Sequence, residues 1–150
     1  MIYLDANFII ASVVNDVERI DLVERFLRVT TGPFYVSPLA DYEARKHLCA
    51  VEDNEWEARL DFLLKNKFTA LAGGWESPIL QALKIARQFK GRLGVDSADT
   101  LHVGWALSVG AETFASFDRA SGPRARALAL GLKLFPKENP KDFAEMKKLK

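Results

Sequence analysis

The sequence contains one cysteine, Cys49, among 150 residues, so the chain cannot form an internal disulfide. With only two histidines beside it, the chain also lacks the Cys/His patterns of zinc sites. Neither sign of charge dominates: 21 basic and 20 acidic residues exclude a polybasic tail and an acidic solvating protein. No apolar run approaches the roughly 18 residues that span a bilayer, and residues 1–5 lack the basic leader of a signal peptide. These absences predict one soluble domain over residues 1–150, in the cytoplasm and away from membranes.

The sequence does contain a regular alternation of two kinds of segment. Short β-branched or aromatic segments predict strands at residues 2–4, 34–36, 67–71, 113–117 and 132–135. Segments with one apolar helical face predict helices at residues 16–29, 39–51, 54–65, 78–89 (capped by Ser77), 97–109 and 122–130. This alternation favours an α/β fold with a mostly parallel sheet of four or five strands. The lysine-rich end, residues 136–150, is predicted to be a surface-hugging or frayed tail.

Four acidic residues fall at comparable positions in this predicted architecture. Asp5 is the first residue after the first strand, and Asp118 directly follows the strand at 113–117. Glu43 lies in the first turns of the helix after the second strand, and Asp99 lies in the first turn of a later helix. Because parallel strands present their carboxyl ends on one edge of a sheet, the four carboxylates are expected on the same side.

Each acid also has an ordinary structural explanation. An acid at a strand end can form an Asx turn, and an acid in the first turn of a helix can stabilise the helix dipole. Neighbouring acids compete for two of the four places, Asp41 for that of Glu43 and Asp96 for that of Asp99. The coincidence of four such positions carries more weight than any one of them.

A cluster of carboxylates needs a compensating charge, because like charges raise each other's pKa and oppose folding. A hard divalent cation, Mg²⁺ or Mn²⁺, resolves the repulsion, since these ions take oxygen ligands and keep several waters. An all-carboxylate metal site suits the hydrolysis of phosphodiester bonds, because the ion activates water and no nucleophilic side chain is required.

Four segments of the chain resemble the PIN-domain family, and most closely the VapC-type toxins of prokaryotic toxin–antitoxin pairs. They are residues 1–7 (MIYLDAN), 37–43 (SPLADYE), 99–102 (DTLH) and 116–119 (SFDR), in the family's order. The resemblance implies a three-layer α/β/α PIN-like fold. It selects Glu43 over Asp41 and Asp99 over Asp96.

The resemblance also implies an activity. It assigns catalytic and metal-binding roles to Asp5, Glu43, Asp99 and Asp118 in a Mg²⁺- or Mn²⁺-dependent endoribonuclease. RNA is the implied substrate, and the implied partner is a small antitoxin protein that inserts a segment into the active-site groove. Two residues depart mildly from the family: Ala6 stands where a hydroxyl residue is common, and Ser116 stands where threonine is commoner.

Four residues beside the acids are candidates for supporting roles. Asn7 could hold a water or a neighbouring carboxylate, although an Asx turn explains it equally well. Ser116 could hydrogen-bond Asp5 and orient it, although a small core residue is the plainer explanation. Arg119 and Arg124 are the basic residues expected to contact RNA phosphates.

Two further features leave alternatives open. His102 is expected to be a core histidine bonded to the backbone rather than a proton shuttle. The apolar residues of the helices at 16–29 and 39–65 suggest a surplus face for a homodimer or an antitoxin.

Two other functions compete with the ribonuclease. One is a non-catalytic PIN-like module that binds RNA or a protein partner. The other is a phosphotransfer receiver, which would need an acidic pair near the first strand and a lysine after the last.

Overall fold

Five short parallel strands form the central sheet of the computed structural model, which describes residues 1–14, 18–53, 55–90, 92 and 96–150. The strands are β1 (Ile2–Leu4), β2 (Phe34–Val36), β3 (Phe68–Ala70), β4 (Thr113–Ala115) and β5 (Lys133–Phe135). Their order is β3-β2-β1-β4-β5, and each neighbouring pair is parallel. The register aligns Leu4 of β1 with Val36 of β2 and with Ala115 of β4, so these strands end at the same level. This confirms the predicted parallel sheet.

Helices cover both faces of this sheet. In the described residues they are α1 (Ala6–Val13), α2 (Ile20–Val29), α3 (Pro38–Leu48), α4 (Trp56–Asn66), α5 (Glu76–Phe89), α6 (Ser97–Ser108), α7 (Ala125–Ala129) and α8 (Pro140–Leu149). A wide turn, Ala120–Arg124, precedes α7. None of the described helices combines the length and the apolar character that a bilayer crossing needs.

The alternation of side chains along the strands creates two cores. Ile2 and Leu4 belong to a cluster with residues of α1 to α4, whereas Tyr3 belongs to a cluster with residues of α5 to α8. Successive strand residues point to opposite faces, so one three-residue strand serves both layers. The structure therefore has the expected three-layer α/β/α architecture.

Helix α1 was absent from the sequence-based expectation, which ended the first strand at residues 5–7 and placed nothing regular after them. Five of its eight residues are buried and none is charged, so it lacks the charged face that reveals a helical period in a sequence. Asp5 caps this helix: its side chain accepts a hydrogen bond from the N–H of Ala6 at 2.8 Å.

The end of the chain, expected to be a surface-hugging or frayed tail, contains an anchored helix instead. Residues Pro140–Leu149 form α8, which begins with a capping box between Asn139 and Asp142. Asp142 is fully buried, and Leu149 packs into the core beside α5. The lysines that suggested a tail are exposed, and three of the five, Lys141, Lys147 and Lys148, lie in this anchored helix.

Several predicted boundaries shift by a few residues. Helix α5 begins at Glu76, so Ser77 lies within the first turn and is not the cap. The predicted helix at 122–130 is divided into the wide turn and α7, because Gly122 adopts a non-helical conformation and Pro123 follows it. Residues 16 and 17, at the start of the predicted helix 16–29, lie outside the described residues.

Candidate functional site

The predicted acids lie at the carboxyl edge of the sheet, beside the central strand β1 and its neighbours. The chain builds the sheet outward from β1 through β2 to β3 and then returns to the other side of β1 with β4. Open parallel sheets bind ligands at such a reversal, because the connections leave in opposite directions and open a crevice. Asp5 follows β1 directly, and its N–H donates to the carbonyl of Ala115 at the end of β4 at 2.9 Å.

Asp5 is the most tightly held of the acids. It is 3% exposed, and its two carboxylate oxygens accept hydrogen bonds from the N–H of Ala6 at 2.8 Å and from the hydroxyl of Ser116 at 2.6 Å. Burial raises the pKa of Asp5, and the charge of Asp118 adds to this increase, while His102 and the two hydrogen bonds oppose it. A cation that binds this carboxylate is favoured, because its positive charge offsets the cost of burying the negative one.

Ser116 connects two of the acids. Its buried hydroxyl donates to Asp5 and accepts a hydrogen bond from the backbone N–H of Asp118 at 3.0 Å. Asp118 in turn accepts a hydrogen bond from the N–H of Arg119 at 2.7 Å. The predicted contact between Ser116 and Asp5 is therefore present in the structure.

Glu43 reaches the same site from α3, which is capped by the Ser37 hydroxyl. Nε2 of His102 donates to Oε2 of Glu43 at 2.7 Å and lies 3.5 Å from Oδ1 of Asp5. One potential ligand atom from each of these three side chains lies within 4.8 Å of the other two. This is the tightest convergence of metal-ligating groups in the described residues.

His102 was expected to bond to the backbone, but its partners are side chains. Its Nδ1 lies 2.8 Å from the hydroxyl of Tyr3, which is also 2.7 Å from the hydroxyl of Ser37. Burial lowers the pKa of His102, but Asp5 and Glu43 raise it more, so its pKa lies above the ordinary value. The hydrogen bonds of Tyr3 were not predicted. The sequence showed only that Tyr3 lies within a buried strand, between Ile2 and Leu4.

Asp99 borders this group from the first turn of α6. Asp96 caps that helix, as its position before residue 97 suggested, and Asp99 pairs with Arg126 at 2.8 Å. Burial raises the pKa of Asp99 to about 6; Arg126 opposes the increase, and Asp96, Asp118 and Asp5 add to it. The negative charges of Asp5 and Asp118 are thus among the causes of the raised pKa of Asp99.

The remaining predicted residues have different surroundings. Arg119 is exposed beside Asp118. Arg124 is 4% exposed and forms an ion pair with Asp142 at 2.8 Å, an arrangement that suits a structural role better than contact with RNA phosphate. Asn7 lies in the first turn of α1, and its side chain makes no hydrogen bond within the described part of the chain.

The side chains of the site fit a divalent cation. Buried Asp5 and half-buried Glu43 offer hard oxygen donors, which suit Mg²⁺ and Mn²⁺ alike, while the Nε2 proton of His102 is bonded to Glu43 and leaves His102 to position the carboxylates. Hydrogen bonds to Asp5, Asp118 and Asp99 hold the carboxylates in place, which is the outer support that metal ligands require.

Comparison with known proteins shows the family and the fold. The family model described as "PIN domain" matches residues 2–122. The solved structure of FitAcB from Neisseria gonorrhoeae is similar in fold, with a TM-score of 0.57 and 18% sequence identity over 89% of this chain and 96% of the matched chain. No curated protein matches the sequence.

Proposed function

Because the chain belongs to the PIN domain family, whose members are generally nucleases, we propose that it is a divalent-metal-dependent endoribonuclease. The observation that carries this proposal is the convergence of the Asp5 and Glu43 carboxylates with His102 within 4.8 Å, with Asp118 joined to Asp5 through the Ser116 hydroxyl. The metal is Mg²⁺ or Mn²⁺, bound by the carboxylates of Asp5, Glu43, Asp99 and Asp118.

When bound, a divalent cation lowers the pKa of an attacking water and stabilises charge on the phosphate oxygens. Three other residues of the protein hold the proposed ligands in position. Ser116 orients Asp5, and His102 acts as a positioning residue for Glu43 through the bond to Nε2. Arg126 holds Asp99.

The substrate is RNA, cut at phosphodiester bonds that reach this edge of the sheet. Arg119 is exposed next to Asp118 and is proposed to contact a phosphate. Arg124 supports the site from the protein interior, because its guanidinium donates to the carbonyl of Ser116 at 2.7 Å.

The deciding experiment is cleavage of total RNA by purified protein with Mg²⁺ or Mn²⁺ and with EDTA. Wild-type protein should cleave with the metal and lose cleavage with EDTA, and Asp5→Asn should be inactive while remaining folded by circular dichroism. Asp21→Asn, on exposed α2, is the matched control and should retain activity. Activity in Asp5→Asn, or full activity after exhaustive EDTA treatment, would contradict the proposal. RNA binding without any Mn²⁺ binding in calorimetry would favour a non-catalytic binding module instead.

The biological setting we propose is a toxin–antitoxin pair of the VapC type, in which a small antitoxin blocks the site. The sequence segments shared with that group support it. Inspection of the neighbouring reading frame and co-expression with its product test it: the product should co-purify with the chain and abolish RNA cleavage. A freely active enzyme in the presence of that product would contradict this assignment.

A second copy of the chain is the other proposed partner, and α5 is the proposed contact. Its outer face exposes Ile79, Leu80 and Leu83 at 42%, 52% and 47%, respectively. Glu76 and Arg87 lie on the same helical face as Leu80 and Leu83, one at each end. The four residues follow one another at spacings of four, three and four, which keep side chains on one face of a helix. In an antiparallel pair, Glu76 of one copy meets Arg87 of the other, and Leu80 meets Leu83.

Analytical ultracentrifugation tests this self-association. Wild-type protein should sediment as a dimer at tens of micromolar, and Leu80→Glu should shift it to monomer. Leu22→Glu, at a similarly exposed position on α2, should leave the dimer intact. A monomeric wild-type protein, or a dimer unaffected by Leu80→Glu, would contradict the α5 contact.

A further inference from the structure

Two adjoining depressions form a basic groove beside the acid site. Their volumes are about 360 and 220 Å³, and both are lined by Arg92 and Leu149. The groove runs between the end of α5, the end of α8 and the start of α7. Five basic residues and one acidic residue line it: Lys90, Arg92, Arg126, Lys148, Lys150 and Glu145.

The groove is continuous with the site through two of its lining residues. Arg126 lines the smaller depression and donates to Asp99 at 2.8 Å. Gly122 lines the same depression and lies against Asp118, whose carboxylate carbon would be 3.2 Å from a β-carbon at position 122. An extended ligand that occupied the groove would therefore reach Asp99 and Asp118 at the end of the groove that Arg126 and Gly122 line.

The charge of the groove is only partly compensated within the protein. Lys148 pairs with Glu145 at 2.6 Å, and Arg92 donates to the main-chain oxygen of Lys150 at 2.8 Å. Lys90 forms no ion pair with any of the described residues. Basic residues thus remain in excess along a surface that begins beside an acidic centre.

We infer that the basic groove binds the phosphate backbone of the RNA strand on one side of the cleavage site. The inference rests on the proposed ribonuclease function and adds to it the path of the substrate. Lysine and arginine contacts to phosphate supply affinity and register and carry no base identity. Phe89, the one aromatic residue among those that line the two depressions, is 4% exposed, so the groove offers no stacking platform for bases. Its contribution to affinity is accordingly independent of sequence.

The experiment compares Lys90→Gln/Arg92→Gln with the matched control Arg25→Gln/Lys65→Gln, which removes two exposed charges from α2 and α4 on the opposite layer. All proteins carry Asp118→Asn so that RNA stays intact. The probes are fluorescent oligouridylates of about 12 and about 4 nucleotides, titrated at several KCl concentrations. Because Arg92 also contacts the end of α8, Lys90→Gln alone and thermal unfolding of each variant accompany the double variant.

The groove variant should bind the longer oligonucleotide about five- to tenfold more weakly at low salt. The slope of log affinity against log salt should fall by about 1.4, since each lost phosphate contact removes about 0.7 for single strands. The short probe and the control variant should show no change.

Unchanged affinity and slope in a folded groove variant would overturn the inference. So would a variant that keeps its RNA affinity but loses binding of an acidic peptide, which would assign the groove to a protein partner. Failure of the ribonuclease function is separate, because it shows in wild-type protein, without Asp118→Asn, as absence of metal-dependent cleavage.

Discussion

The guanidinium group of Arg124 is joined to the carboxylate of Asp142 by two hydrogen bonds, of 3.0 and 2.8 Å, in the interior of the protein. The same guanidinium donates to the carbonyls of Ser116 and Pro136 at 2.7 and 3.0 Å. Arg124 thus fastens α8 to the end of β4, directly behind the serine that holds Asp5. The C-terminal helix is part of the support of the site.

Replacement of Asp142 by asparagine should lower the free energy of unfolding by about 3 kcal/mol, because it leaves the buried charge of Arg124 without its partner. Urea unfolding followed by circular dichroism measures the change. Glu145→Gln is the control: it removes an exposed pair with Lys148 on the same helix and should cost less than about 1 kcal/mol. Equal stability of Asp142→Asn and wild type would contradict the structural role.

The effect of Asp142→Asn should also depend on pH. Burial alone raises the pKa of Asp142, but hydrogen bonds from Arg124 and from the N–H of Asn139 outweigh it and lower the pKa below its ordinary value. A lowered folded-state pKa stabilises the protein fully above the unfolded-state value of about 3.9, and this stabilisation is lost as the pH falls through the folded-state value. The stability difference between wild type and Asp142→Asn should therefore be constant near neutral pH and shrink below about pH 4. A difference that grows on acidification would contradict this assignment.

The features that could be predicted from the sequence depend on the hydrophobic periodicity of one segment or on the place of a residue at the end of a segment. The strands and most helices followed from periodicity, and the position of Asp5 after β1 placed it at the edge of the sheet. Helix α1 was missed because a mostly buried helix without charged residues has no charged face to reveal its period. The end of the chain was misjudged because its lysines are visible in sequence, whereas the distant partner of Asp142 is not.

Among the hydrogen bonds within the site, too, one could be predicted from the sequence and others could not. Ser116 could be placed near Asp5 because it lies two residues before Asp118 and therefore on the same face of the predicted strand. The bonds of His102 to Tyr3 and Glu43 join residues 99 and 59 positions apart, and only the tertiary packing of α6 against β1 and α3 brings them together. Each of these residues has an unremarkable local context.

Replacement of Tyr3 by phenylalanine should cost about 1–3 kcal/mol, because it leaves the buried Nδ1 of His102 without a partner and removes one of the two hydrogen bonds of the Ser37 hydroxyl. The ring and its stacking on Phe114 remain, so the loss reports the hydroxyl alone. RNA cleavage should also fall, since His102 loses the bond that fixes its ring. Tyr35→Phe is the control, because among the described residues the Tyr35 hydroxyl has only a weak hydrogen bond to the sulfur of Met1, at 3.9 Å. Equal stability and cleavage in the two variants would contradict the role of Tyr3.

Replacement of Ser116 by alanine should weaken Mn²⁺ affinity about 10- to 100-fold, the range typical for the loss of a group that orients a metal ligand. The variant removes the 2.6 Å bond to Asp5 and the 3.0 Å bond from the N–H of Asp118 together. Isothermal titration calorimetry with Mn²⁺ measures the change. Ser108→Ala, which removes a hydroxyl bond to the carbonyl of Trp105 within α6, should bind Mn²⁺ as wild type does. Unaltered affinity in Ser116→Ala would show that Asp5 needs no such support.

Replacement of Gly122 by alanine should lower the rate of RNA cleavage by about tenfold without unfolding the protein. The added β-carbon would lie 3.2 Å from both the carboxylate carbon and one oxygen of Asp118, so this side chain must shift by a few tenths of an ångström. Displacements of this order matter because a metal site must be held closely to its productive geometry. Gly74→Ala is the control, since the nearest atom to its new β-carbon is 3.9 Å away. Cleavage rates and thermal unfolding of both variants are compared with wild type. Wild-type cleavage by a folded Gly122→Ala protein would mean that Asp118 tolerates displacement, and its assignment as a metal ligand would then fail.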